Sequence, residues 1–292
     1  MDLKIGCPIW SFKGWVGNFY PEGTKPSQFL EEYARRLTAI EGNTTFYAVP
    51  AEKTLEDWAA ATPETFRFCA KVPKAISHAR KLEEGIDRAR QFVQIMGRLG
   101  PRLGPMFLQL PPSYSPRHLE DLQKFLEAWP GDVRLGVEVR HLDWFESPFN
   151  EVLNRTLSSH NMARVVIDTR PIRSLDGDKI LRGSVYQTLL EARRRKPDVP
   201  VFMERTADFL FLRYIGHPSM EQNRELLREW ADRVAGEINQ GADAFVFCHS
   251  PENLTAPHLC REFHRLVAEQ ANIAPLPWET LAPGAPEQPA LF

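Results

Sequence analysis

Residues Arg134–Phe145 read RLGVEVRHLDWF. Leu135, Val137 and Val139 alternate with Gly136, Glu138 and Arg140, a period-two pattern rich in β-branched residues that predicts a strand. The stretch also carries a difficulty. A glutamate and an arginine lie in a strand whose other residues suit a buried position, and a charge removed from water is costly unless it is paired or used. How the other strands end therefore decides what this one means.

Working outward, the same alternation recurs. Leu3–Gly6, Ala39–Asn43, Phe66–Val72 and the MFLQL run 106–110 precede it as short apolar segments. Residues 28–37, 51–61, 84–99 and 116–128 between them carry apolar positions at helical spacing, with Ser27 and Ser115 as caps and Pro116 at a first helical position. Beyond it come a helix over 149–159, a strand over Ala163–Asp168, a strand over Phe209–Ile215, a helix over 221–240, a strand over Ala244–Cys248 and a helix over 256–270. Eight strands separated by helices predict an α/β fold, a (β/α)8 TIM-barrel-like single domain over residues 1–270, with a Pro-rich tail over 271–292 that is extended or disordered. A doubly wound open sheet is the alternative. Residues 171–205 break the alternation as a long excursion, whose basic run Arg193–Lys196 reads as a solvated face.

Composition narrows the function classes. The 292 residues are 43% hydrophobic and 25% charged with a formal net charge of −2, an ordinary soluble composition without the global basic field of a nucleic-acid-binding surface. Cys7, Cys69, Cys248 and Cys260 form no C-x-x-C pair and are expected as buried reduced thiols. The N-terminal MDLKIGCPIW has no signal-peptide pattern and no window approaches the ~18 apolar residues of a membrane span, so a cytoplasmic protein is expected. No G-x-G-x-x-G follows a strand and no P-loop occurs, so no nucleotide cofactor is indicated.

Barrel enzymes collect their functional groups at the C-terminal ends of the strands. Here those ends supply Trp10, Glu41 with Asn43, Lys71 with His78 just beyond, Gln109, Glu138 with Arg140 and His141, Asp168 with Arg170, Arg213 and His249. So many polar groups on one rim predict a cup that holds a ligand. Glu138, Asp168 and Glu41 are the candidate catalytic acids and bases, with burial expected to raise their pKa values. Lys71, Arg140 and Arg213 are suited to a carboxylate or phosphate, and Trp10, Asn43, His78, Gln109, His141 and His249 complete the ligand-binding set. The bland alternative is a salt-bridge network that merely fills the barrel. The carboxylates and histidines have the chemistry to take a divalent metal, yet no H-E-x-x-H spacing occurs, and no metal ligands are assigned. A serine hydrolase is disfavoured by the absence of G-x-S-x-G. The loop after the first strand interleaves Trp10, Phe12, Trp15, Phe19 and Tyr20 with glycine, as a lid on a core or a pocket lining.

Several motifs together carry a resemblance: Gly6…Trp10-Ser11…Gly14-Trp15…Phe19-Tyr20-Pro21, Glu41-Gly42-Asn43-Thr44-Thr45-Phe46-Tyr47, Phe66-Arg67-Phe68…Lys71, Gln109-Leu110-Pro111-Pro112 and Glu138-Val139-Arg140-His141…Trp144-Phe145. In this order, from about Leu3 to Leu266, the chain resembles the YecE-like family, known as a domain of unknown function (DUF72). The resemblance implies a TIM-barrel-like fold and no established reaction; the suggested kinship with sugar isomerases is analogy from the fold. The chain departs from the family at Arg213-Tyr214-Ile215-Gly216, where Arg-x-His-Gly is usual, and at His249-Ser250, where paired asparagines are usual. The rim there is expected to differ in what it binds or how.

The tail adds an independent signal. Gln288-Pro289-Ala290-Leu291-Phe292 is similar to the Gln-x-x-Leu-Phe peptides by which bacterial repair and replication proteins dock on the sliding clamp, so Gln288, Leu291 and Phe292 are candidate partner-binding residues. Three readings follow. The leading one is an enzyme of isomerase or lyase type acting on a small polar, sugar- or phosphate-like ligand. The others are a clamp-associated nucleic-acid repair enzyme and a non-catalytic ligand-binding module.

Overall fold

The apolar runs form parallel strands and the amphipathic segments between them return the chain across the outside, as right-handed β–α–β connections require. The computed structural model describes residues 2–174 and 181–281. Its strands are β1 (Leu3–Cys7), β2 (Ala39–Gly42), β3 (Arg67–Ala70), β4 (Met106–Gln109), β5 (Leu135–Glu138), β6 (Ala163–Arg164), β7 (Val166–Asp168), β8 (Phe209–Ile215) and β9 (Asp243–His249). The helices are α1 (Phe29–Ala34), α2 (Glu52–Ala60), α3 (Lys74–Ser77), α4 (Ile86–Met96), α5 (Leu119–Ala128), α6 (Phe149–Ser159), α7 (Arg170–Arg173), α8 (Gly183–Arg195), α9 (Arg224–Asn239) and α10 (Ala256–Ala268).

Strand pairing closes a ring. One sheet runs β3-β2-β1-β9-β8-β7 and a second runs β4-β5-β6. Phe68 and Lys71 bridge Leu103 and Phe107 in parallel, and the Val72 amide donates to the Phe107 carbonyl at 2.9 Å, which joins β3 to β4. At the other seam β6 and β7 are the halves of one strand interrupted at Val165, whose amide donates to the Val137 carbonyl at 2.9 Å. The expected eight-strand barrel is thus the architecture, and the open-sheet alternative falls.

Parity along each strand separates two cores. Ile5, Ile40, Phe68, Leu108, Val137, Leu212 and Val246 face the helix layer. Their neighbours point inward, where Ala39, Cys69, Phe107, Val165, Phe209, Phe211, Phe245 and Phe247 fill the barrel. The interior is floored by aromatics, with Phe107 and Phe247 packed on either side of Phe211 at 5.3 and 5.1 Å between ring centroids. The aromatic loop after β1 is a lid on the outer core: Trp15, Phe19 and Tyr20 are buried, whereas Trp10 is half-buried. All four cysteines are free and buried.

Two segments differ from expectation. The excursion over 171–205 contains α8, a helix whose pattern the sequence hides because it buries little beyond Leu189. It packs Ile172 and Leu189 on Ile167 and Ile215 at the ends of β7 and β8, with Leu181, Ala192 and Val199 around them. Residues 271–281 of the expected extended tail pack on the body. Leu276 is buried, Trp278 meets Phe19 at 5.0 Å, and Arg261 pairs with Glu279 at 2.7 Å. Apolar anchors on both sides of Pro277 hold this stretch down. Among the described residues no helix is long and apolar enough to cross a membrane.

The approach of β1 to β2 leaves no room for a side chain at Gly6, where a Cβ would lie 1.8 Å from the Ala39 carbonyl oxygen and 2.7 Å from Tyr33 Oη. Backbone cannot yield as a side-chain tip can. Gly6→Ala is expected to destabilise the fold by about 3 kcal/mol, read as a lowered urea midpoint.

Candidate functional site

Above the aromatic floor the inward positions become charged. Parity brings Glu41 of β2, Glu138 of β5 and Arg213 of β8 into one layer, and all three are almost wholly buried. Arg213 donates through Nε and Nη2 to Glu41 at 2.8 Å each and through Nη1 to Glu138 Oε2 at 2.6 Å. Its guanidinium carbon lies 5.2 Å from the centre of the Phe107 ring. Arg140 donates to Glu138 Oε1 at 2.6 Å and to Gln109 Oε1 at 2.7 Å. The same Gln109 oxygen accepts from Lys71 Nζ at 2.9 Å, so one neutral amide joins two cations. Asn43 donates to Glu41 Oε1 at 2.6 Å, and His249 Nε2 lies 3.1 Å from Glu41 Oε2. Since a carboxylate only accepts, the neutral His249 ring carries its proton on Nε2.

These contacts set the protonation states. Burial alone raises the pKa of Glu138, but the Arg140 and Arg213 charges overcome it and hold the carboxyl at about 2. Burial likewise works against ionised Glu41, and Arg213 with His249 outweighs it, leaving the pKa well below the usual carboxylate range. The sequence led us to expect raised values, because burial was visible there and the facing arginine was not. His249 is pushed down to about 4, first by burial, despite the Glu41 charge. Lys71 falls to about 8, again through burial and then Arg213. Its ammonium lies 4.0 Å from the centre of the Phe46 ring.

Lys196 is the residue that sequence reasoning missed. The run Arg193–Lys196 was expected as a solvated face, and Arg194 and Arg195 are indeed exposed. Lys196 is partly buried. Its amide donates to the Ala192 carbonyl at 2.8 Å, and its carbonyl accepts from Arg173 at 3.0 Å. The next carbonyl, of Pro197, accepts from Thr169 Oγ1 at 3.0 Å, which pins the segment to the end of β7. The ammonium enters the fields of Arg213, Glu41, Arg140 and Glu138, and burial followed by Arg213 brings its pKa to about 8. Proline after the last basic residue was the available signal, since it ends α8 and redirects the chain.

Other expected residues fall around this centre. His78 lies beside it, its Nδ1 2.9 Å from Ser77 Oγ and its ring 5.2 Å from Phe46; burial and then Lys71 lower its pKa. Trp10 meets Trp58 edge-on at 5.2 Å, and Tyr47, beside Phe46, is 83% exposed. His141 is further out, its Nδ1 accepting from the Asp143 amide at 3.3 Å. Asp168 does not join the cluster. It accepts from Trp230 Nε1 of α9 at 2.7 Å and from Arg170 Nη2 at 2.8 Å, on the helix side of the barrel. The expectation of Asp168 as an acid or base in the cup is corrected by parity, because Ile167 takes the inward position. Among the described residues no group of three or more His, Cys, Asp or Glu is placed to hold a metal ion. Gln288, Leu291 and Phe292 lie outside the described residues.

Fold and site together define a parallel eight-stranded barrel with a polar mouth at the C-terminal ends of its strands. The chain belongs to the family described as "Protein of unknown function DUF72", whose model matches residues 4–282. It is 36% identical to the UPF0759 protein YecE of Escherichia coli K12 over 291 residues, covering 99% of this chain and 100% of that one. UPF0759 protein YunF of Bacillus subtilis is 23% identical over 253 residues, 84% of this chain and 87% of the relative. Among solved structures, a DUF72 family protein from Thermotoga maritima superposes with a TM-score of 0.67 at 21% identity, covering 92% of this chain and 100% of that one. A DUF72 family protein from Enterococcus faecalis gives a TM-score of 0.69 at 16% identity, covering 91% and 95%. These likenesses extend the fold across the family.

Removal of one partner from a buried ion network strands the others. Arg213→Met is expected to lose about 3–5 kcal/mol at pH 7 by urea unfolding. In wild type, the depressed values of Glu41, Glu138 and His249 make stability fall as pH drops from about 6.5 towards 2. In Arg213→Met the unpaired carboxyls favour protonation, so the gap to wild type should narrow on acidification below about pH 4.

Proposed function

We propose that the barrel mouth binds a small polar ligand bearing a phosphate or carboxylate, and transforms it by proton transfer that uses amines rather than the buried carboxylates. The observation that carries this reading is the charge balance. Four cationic side chains, Lys71, Arg140, Lys196 and Arg213, face two carboxylates, Glu41 and Glu138. Every carboxylate oxygen already accepts from a cation, and all three guanidinium nitrogens of Arg213 donate to them. The surplus positive charge sits on Lys71, Arg140 and Lys196, where a ligand anion would be met by charge-assisted hydrogen bonds. The exposed Tyr47, beside the Phe46 ring that lies on Lys71, suits the flat or apolar remainder of such a ligand.

The carboxylates are poor proton carriers near neutrality, since Glu138 stays ionised down to about pH 2. Lys71 and Lys196, at about 8, titrate close to working pH and suit that task. A mere filling network is less consistent with the balance, because a network built for stability alone has no use for surplus cations.

A thermal-shift panel tests the reading. Sugar phosphates, inorganic phosphate and 2-oxo acids should raise the melting temperature where neutral sugars do not, with about 2.7 kcal/mol of stabilisation at ~100 times the dissociation constant. Lys71→Met and Lys196→Met should each weaken binding by about 1.5–3 kcal/mol, roughly 10- to 100-fold. Affinity should decline as pH rises through about 8, because the two ammoniums lose their protons there. Equal shifts with neutral and anionic sugars would overturn the reading.

A further inference from the structure

Donors and acceptors are left open on different arcs of the mouth. The acceptors of Glu138, Glu41 and Gln109 are all in use. Glu138 accepts from Arg140 at Oε1 and from Arg213 at Oε2. Glu41 accepts from Arg213 and Asn43 at Oε1, and from Arg213 and His249 at Oε2. Gln109 Oε1 accepts from both Lys71 and Arg140, which occupies both lone pairs of an amide oxygen. The cations keep donors to spare. Arg140 bonds through Nε and Nη2, and Lys71 makes one hydrogen bond with an ammonium that carries three protons. Arg140 Nη1 and the other Lys71 protons have no hydrogen-bond partner among the described residues.

Glu41 settles what stays open on its own side. A carboxylate takes only donors, so it draws the Asn43 amide nitrogen, which also reaches the Pro8 carbonyl at 3.4 Å, and the Nε2 proton of His249. The second polar atom of each side chain is then an acceptor: Asn43 Oδ1, and Nδ1 of the neutral His249 ring. Among the described residues no hydrogen bond engages either atom, and neither is among the side-chain atoms shut away without a partner. Strand order separates the two sets. Asn43 follows β2 and His249 ends β9, the two neighbours of β1. Lys71, Gln109 and Arg140 lie at the ends of the successive strands β3, β4 and β5.

We propose that the ligand of the mouth is a hydroxylated anion, its anionic group on Lys71 and Arg140 and its hydroxyl groups donating to His249 Nδ1 and Asn43 Oδ1. This rests on the anion-binding reading above and adds the hydroxyls, with His249 and Asn43 as the residues that determine specificity. The ligand donor is a hydroxyl rather than an ammonium, because Arg213, Arg140 and Lys71 outnumber Glu41 and Glu138 and repel a further positive group. Burial holds the His249 pKa near 4, so its Nδ1 stays a bare acceptor through the neutral range. An anion without hydroxyls leaves both acceptors unpaired, and a site built to bond a hydroxyl rejects the analogue that lacks it.

Matched pairs of probes, titrated calorimetrically into the intact protein, test this. Glycerol 3-phosphate is set against n-propyl phosphate, and glycerate against propionate. Each pair keeps the anion and the chain length and removes the hydroxyls, and the two pairs separate phosphate from carboxylate. Wild type should bind the hydroxylated member of at least one pair about tenfold tighter or better, the worth of one hydrogen bond to an otherwise unpaired acceptor. Asn43→Ala and His249→Phe should each shrink that ratio severalfold while the hydroxyl-free member keeps its affinity within about twofold. Lys71→Met should weaken both members alike and preserve the ratio, which a merely structural effect of the first two variants would also do. Should His249→Phe fail to fold, the wild-type ratio and Asn43→Ala still decide. A wild-type ratio near one, with both members bound, overturns the inference and leaves anion binding standing. A preference that survives intact in Asn43→Ala and His249→Phe overturns the assignment to these residues. Glycerol bound as tightly as its phosphate, or no binding by any of the four anions, sinks the anion-binding reading and this inference with it.

Discussion

Arg213 donates to Glu41 and Glu138, which lie 172 and 75 residues away along the chain, and the charged layer of the barrel depends on that triad. Two carboxylates in an aromatic-floored interior could not both stay ionised without a cation between them. The planar guanidinium suits the place because its donors reach both sides at once, and its face rests on Phe107. Once Arg213 is committed in this way, the remaining contacts follow. Arg140 takes the open oxygen of Glu138, Asn43 and His249 each add a second donor to an oxygen of Glu41, and Gln109 reconciles Arg140 with Lys71.

The triad also decides what the carboxylates can do. A glutamate held at about 2 is an anchor for cations and a poor shuttle for protons. The carboxylates therefore act as the counter-charge that lets a cluster of cations exist inside the barrel. One of those cations, Lys196, comes from a segment outside the repeating strand–helix pattern. The excursion after β7 covers part of the mouth on the β7–β8 side and adds the charge of Lys196 to that of Lys71. Barrels vary their chemistry through such insertions while the strands keep their geometry.

Much of this was legible in the residues. Period-two runs from Leu3 to Cys248 and the helical stretches between them marked the strands in their right order, since hydrophobic periodicity is a local property of backbone geometry. Polar residues at the strand ends marked the rim. Asp168 was misplaced because a single residue of parity sends a side chain to the other face, and the break at Val165 obscured which phase β7 follows. Helix α8 was hidden because it covers a small apolar patch and needs only a narrow stripe.

The sequence by itself determined the barrel, the strand order and the identity of most groups at its mouth, because these depend on periodicity and on which residues follow each strand. Only the tertiary structure decided who pairs with whom. Protonation state follows from partners that are distant in the chain, so burial without Arg213 implied raised carboxyl pKa values and burial with it gave lowered ones. The placement of the Lys196 segment was decided in the same way. A basic run has no local preference for solvent or cavity, and the contacts of Arg173 and Thr169 with the Lys196 and Pro197 carbonyls hold this segment at the end of β7.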